Sequence, residues 1–117
     1  MQTSHIQVVP HSGYIEIIVT ESKIYQDVLP PLRDQLIDVL DQGEKQLLLN
    51  LSAVELVNSS GLGILLLIWD RLKKEGGQLV LLGLTPVMEE IFERMRLDTI
   101  FIIEKDRSAA VAHFEQA

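Results

Sequence analysis

The sequence predicts an α/β sandwich, a mixed and mostly parallel β-sheet with an antiparallel hairpin at its N-terminal edge, in the element order ββαβαβαβα. Three observations carry that reading. Two β-branched runs, Ile6 to Val9 and Tyr14 to Val19, flank Pro10-His11-Ser12-Gly13, a group with turn chemistry. The apolar run Leu47-Leu48-Leu49-Asn50-Leu51 has the pattern of a strand covered on both faces. Segments with helical spacing then alternate with short apolar runs to the end of the chain.

Taken in order, Thr20 to Asp27 reads as a polar connection after the hairpin. The first helix starts near Val28, with Pro30 and Pro31 in its first turn, where a missing N–H costs nothing. Leu29, Leu32, Leu36, Val39 and Leu40 form its buried stripe, and Gln42-Gly43 ends it. After the Leu47 strand, Leu62, Leu65, Leu66, Trp69 and Leu72 share one side of a second helix that stops at Gly76-Gly77. One of Asn58, Ser59 and Ser60 caps that helix, since each has a short side-chain oxygen able to accept from the first N–H groups. Gln78 to Leu82 follows a helical crossover and so pairs parallel with the Leu47 strand. Thr85-Pro86 opens a third helix with Glu89 and Glu90 near its positive end and Val87, Ile91 and Met95 as its core face. Ile100 to Ile103 is the last strand, and Asp106 caps a short helix running through Ala109, Ala110, Val111 and Phe114.

At 117 residues and 47% hydrophobic content, the chain suits one domain spanning 1–117. It has no run of about 18 apolar residues and no basic, then apolar, N-terminal segment, so no membrane insertion and a cytoplasmic location are expected. The absence of cysteine excludes disulfides and thiolate metal sites. His5 and His11 have no third partner at ligand spacing, and Glu89, Glu90 and Glu93 read as a solvated helix face. A net charge of −7 opposes direct nucleic-acid binding.

The chemistry concentrates in Asn58-Ser59-Ser60-Gly61-Leu62-Gly63, between a strand and a helix. Ser59 has three readings. It is a helix cap, a nucleophile or a site of phosphorylation. The nucleophile reading lacks support, because Val57 and Asn58 stand where a Gly-x-Ser-x-Gly elbow needs glycine, and His5, His11 and His113 belong to no catalytic motif. A dinucleotide fingerprint fails at Leu66, where a further glycine is required, and no phosphate-binding lysine with Ser/Thr follows. Ile64, Leu67 and Ile68 lie off the core stripe beside Arg71, so they are either covered by another element or form a docking patch, with Leu67 the most exposed of the three.

The hexapeptide, with an apolar strand before it and an apolar helix after it, resembles the Asp-Ser-Ser/Thr/Ala-Gly-Leu-Gly signature of the STAS domain, the fold of bacterial anti-sigma factor antagonists. Length and element order match across nearly the whole chain. In that family the serine directly after the aspartate is phosphorylated, and it maps onto Ser59. The resemblance implies a partner-switching regulator and not an enzyme. It would bind an anti-sigma factor or related serine kinase when Ser59 is unmodified and release it when Ser59 is phosphorylated. ATP would belong to the kinase, a phosphatase would reset the switch, and the chain would need no cofactor. Its partner surface would comprise Asn58, Ser60, Gly61, Leu62 and Gly63 and, from the helix pattern independently of the resemblance, Ile64, Leu67, Ile68 and Arg71, on a chain that is monomeric when free. Two departures are evident: Asn58 replaces the aspartate, and Thr20 to Gln26 lacks the Gly-Glu-Leu-Asp-like turn common in antagonists. The alternative is a STAS module docked constitutively in a larger signalling or transport assembly. A third class, small-ligand binding in the loop from Val54 to Ser60, would need no phosphorylation.

Overall fold

The hairpin is present: β1 (Ile6–His11) and β2 (Tyr14–Val19) pair antiparallel in register Val8 with Ile17, and Gly13 takes the turn at φ +90. The structure, a computed structural model, describes residues 4–115. A short parallel ladder of β3 (Lys23–Ile24) and β5 (Leu56–Val57) stands apart from the main sheet. The main sheet also contains β4 (Gln46–Asn50), β6 (Gln78–Leu82) and β7 (Ile102–Glu104), in the order β1-β2-β4-β6-β7, and all its pairs after the hairpin are parallel. Helices α1 (Leu29–Asp41), α2 (Ser59–Lys74), α3 (Pro86–Arg94) and α4 (Arg107–Glu115) occur in the expected alternation.

Strand alternation divides the sheet into two faces. Ile15, Ile17, Val19, Leu47, Leu49, Leu79 and Leu81 join the leucines of α1 and α2 and Met88 and Phe92 of α3 in one large core. On the other face, Leu48, Val80 and Leu82 meet Ala110 and Phe114 of α4 in a smaller one. Leu47, Leu48 and Leu49 are all fully buried, as a strand covered on both sides requires.

Three details depart from expectation, and one open choice is decided. The polar connection from Thr20 to Asp27 contains β3, whose Ile24 is buried. A 3-10 turn at Leu97–Thr99 takes up the chain after α3, so the last strand begins at Ile102 and not Ile100. Of the three candidate caps of α2, Asn58 is the one used, its Oδ1 accepting from Gly61 N–H at 2.8 Å. The core face of α3 is rotated: Met88 and Phe92 are fully buried, whereas Val87 and Met95 are each 53% exposed. Thr85 fixes that rotation, because its hydroxyl donates to the Val54 carbonyl at 3.0 Å while accepting from Met88 N–H as the helix cap.

The smaller core contains one charge. Glu16 is only 2% exposed and receives two hydrogen bonds of 2.8 Å from the Arg107 guanidinium at the start of α4. Asn50 Nδ2 donates to it at 3.2 Å, and His11 Nε2 lies 3.0 Å away. Arg107, opposed by burial and helped by Asn50 and His11, holds the Glu16 carboxyl at about 2, below its ordinary 4.5. A carboxyl depressed in the folded state stabilises the fold fully above its unfolded pKa and loses that contribution as pH falls through the folded value. Chemical denaturation from pH 6 down to pH 2.5 is therefore expected to show a loss of about 2–3 kcal/mol from this group, concentrated below pH 4.5, that is absent in Glu16→Gln.

Candidate functional site

Ser59 occupies the first turn of α2 and is exposed, with Asn58 and Ser60 exposed beside it. Because Asn58 holds the cap, the Ser59 hydroxyl is not used for capping. The first N–H groups of a helix have no partner within it, so the site combines an accessible hydroxyl with a positive helix end. Arg71, Lys73 and Lys74 in the last turn complement the other end.

Two short strands aim that helix. Glu55 and Leu56 N–H donate to the Ser22 carbonyl at 2.7 and 3.1 Å, and Asn58 N–H donates to the Ile24 carbonyl at 3.3 Å. Gly61 lies directly on this ladder. A Cβ at Gly61 would stand 2.5 Å from Val57 Cγ2 and 3.0 Å from Ile24 Cγ2, so only glycine permits the approach. Gly63, about half a turn on, has open space around its Cα.

Beyond Ser59 the exposed side of α2 continues through Gly63 to Leu67, which is 42% exposed. These residues recur every fourth position, so they form one strip about 12 Å long at 1.5 Å rise per residue. Ile64 and Ile68 do not join it. They are 8% and 0% exposed, because α1 packs along that flank of α2 and adds a buried side to the one facing the sheet. Leu62 and Gly61 are also buried, which leaves these four expected contact residues almost no surface to offer another protein. Arg71 belongs to the same flank, where it pairs with Asp41 of α1 at 2.6 Å and with Glu75 at 3.3 Å. Trp69 is half-buried, edge-on to Phe101 and capped by the Lys73 ammonium 4.7 Å from its ring.

The three histidines and two of the α3 carboxylates are engaged elsewhere. His5 meets Glu21 at 2.6 Å, His11 meets Glu16, and His113 meets Glu104 at 2.7 Å. Glu90 pairs with Arg94, and Glu89 pairs with Lys105 at 3.2 Å. Among the described residues no group of three or more His, Cys, Asp or Glu side chains is placed to hold a metal ion, and no helix is long and apolar enough to cross a membrane.

The profile of the STAS domain matches residues 7–110. This chain belongs to the STAS domain family. A relative described as the anti-sigma factor antagonist BtrV of Bordetella bronchiseptica is 35% identical over 86 residues, which is 74% of each protein. The solved anti-sigma factor antagonist of Mycobacterium paratuberculosis superposes with a TM-score of 0.81 at 26% identity, over 94% of this chain and 92% of that one. SpoIIAA, a Bacillus cell fate determinant solved in its phosphorylated form, superposes with a TM-score of 0.67 at 19% identity, over 89% of this chain and 95% of that one. The last likeness concerns the fold alone.

The two glycines of the STAS hexapeptide have separable consequences. Gly61→Ala forces a Cβ into the β3–β5 ladder and is expected to lower stability by about 1–3 kcal/mol. Gly63→Ala meets no neighbour and removes a helix-interior glycine, so it is expected to raise stability by up to about 1 kcal/mol. Thermal melts of both variants decide this, and equal effects would show that the two positions are not packed as described.

Proposed function

We propose that this STAS domain is a phosphorylation-controlled partner-switching regulator. It acts as an anti-sigma factor antagonist, binding an anti-sigma factor or related serine kinase while Ser59 is unmodified and releasing it when Ser59 is phosphorylated. The single observation that carries the reading is the strip Ser59–Gly63–Leu67, which sets an accessible hydroxyl in line with an exposed leucine. Gly63 supports it, because a helix-interior glycine costs about 1 kcal/mol relative to alanine and here has no contact in its own chain to justify it. Close approach of another protein's backbone is the use such a glycine serves.

The physics of the switch follows from the helix end. A phosphoryl group on Ser59 adds a charge of about −1.5 to −2 and three acceptor oxygens where the helix dipole and unpaired N–H groups tolerate them, so the fold keeps its stability. A partner packed against the neutral hydroxyl meets instead a desolvated anion, which can cost several kcal/mol of binding. On this reading the chain performs no catalysis itself, draws its phosphate from ATP held by the kinase, and works in the cytoplasm, monomeric when free. A phosphatase resets it.

Capture on Ser59→Ala and Ser59→Asp baits identifies the partner as the protein held by the first and lost by the second. With that purified kinase and ATP, intact mass is expected to show one added phosphate, absent in Ser59→Ala. Leu67→Glu is expected to weaken binding by about 2 kcal/mol or more, roughly 30-fold, with stability changed by less than about 0.5 kcal/mol. Binding that survives without any modification of Ser59 would instead identify a constitutive interaction module.

A further inference from the structure

On the side of the sheet away from α2, the polar contacts that hold α4 do not end at Glu16. Arg107 bonds Glu16, and Glu16 Oε2 accepts from Asn50 Nδ2. The other end of the same amide, Asn50 Oδ1, accepts from the Ser52 N–H at 3.0 Å and from the Ser52 hydroxyl at 2.7 Å. Ser52 is the second residue of the connection from β4 to Ser59. Gly83 lies close behind it, since a Cβ there would stand 3.1 Å from Ser52 Cβ. Further along, Val54 receives the Thr85 hydroxyl, and residues 55–58 bond β3 as described above.

Asn50 suits this double task because an amide has a donor at one end and an acceptor at the other. An aspartate would set a second carboxylate against Glu16, and a leucine would leave both neighbours without it. The helix at the far end is weakly anchored by apolar contact. It spans nine residues, with Ala110 and Phe114 as its buried positions, and a helix of that length is marginal by itself.

We propose that Glu16 and Asn50 are positioning residues for Ser59: docking of α4 through Arg107 sets the conformation of residues 51–58, so that an event on the α4 side of the sheet regulates presentation of the hydroxyl. The regulatory meaning rests on Ser59 being the controlled site, but the coupling between α4 and the loop does not.

Amide hydrogen exchange followed by NMR on the full chain tests it. Arg107 is half-exposed, so Arg107→Ala removes the ion pair with little change in packing. It is expected to speed exchange at Ser52 and Val54, together with the α4 amides, by about tenfold or more beyond the smaller common rise that the lost Glu16 pair gives α1 and β2. In an Asn50→Ala background the same substitution adds nothing at Ser52. Arg107→Met, which keeps a long side chain with neither charge nor N–H donor, must behave as Arg107→Ala does. Faster exchange in α4 with residues 52–58 unchanged would overturn the proposal, and so would uniform acceleration throughout the chain, which marks global destabilisation. A failure here leaves phosphorylation of Ser59 untouched, and an unphosphorylated Ser59 leaves this coupling untouched, so the two outcomes are distinguishable.

Discussion

Three consecutive leucines in β4, each without exposed surface, oblige the molecule to cover its sheet on both sides. In a parallel strand, alternate side chains point to opposite faces, so Leu47 and Leu49 demand one layer and Leu48 another. The two layers are met unequally. Three helices build the large core on one face, whereas α4 covers the other with Ala110, Phe114 and an ion pair. This asymmetry places α2, and with it Ser59, on the heavily packed face. Its weaker counterpart lies beneath, at the opposite side of the same strands.

Helix α2 reconciles two demands. Its buried residues face the sheet and α1, and its remaining strip has to stay open at Ser59, Gly63 and Leu67. The β3–β5 ladder makes this possible by fixing the helix start from outside the main sheet. Because Gly61 lets the first turn lie against Val57 and Ile24, the helix enters at a defined angle and the Ser59 hydroxyl about half a turn earlier faces outward. Packing density and accessibility are thus arranged along a single element, and the glycine at position 61 serves the first while the glycine at 63 leaves room for the second.

Much of this was legible in the residues, and the omissions have physical reasons. The order of the main strands and helices follows from runs long enough to show a period of 2 or 3.6. The two-residue strands β3 and β5 are too short to show any period, and they form only because the chain brings Ser22 and Leu56 together. On α3, the stripe of Val87, Ile91 and Met95 is as apolar as that of Met88 and Phe92. The choice between them is made by a hydrogen bond between Thr85 and Val54, residues 31 apart in the chain, which no local pattern encodes. The same limit applies to Ile64 and Ile68, since a helical wheel registers a core side but not a neighbouring helix. Ser59 and Leu67 were legible because exposure of an N-terminal turn and of the position farthest from the core stripe depends on the helix alone. The Glu16–Arg107 pair was not, because its partners are separated by 91 positions.

Asn58 gives the proposed switch a character of its own. An aspartate at a cap already places a negative charge beside the helix N-terminus, so a phosphate added to the next residue has to share the dipole and is repelled by its neighbour. Asn58 caps through Gly61 N–H without that charge. The helix end therefore keeps its full attraction for the incoming anion, and the modified state carries no penalty from its own cap. On the proposed reading, discrimination between the two states then falls entirely on the partner, whose apolar contact with Leu67 has to tolerate a neutral Ser59 and reject a charged one across about two turns of helix.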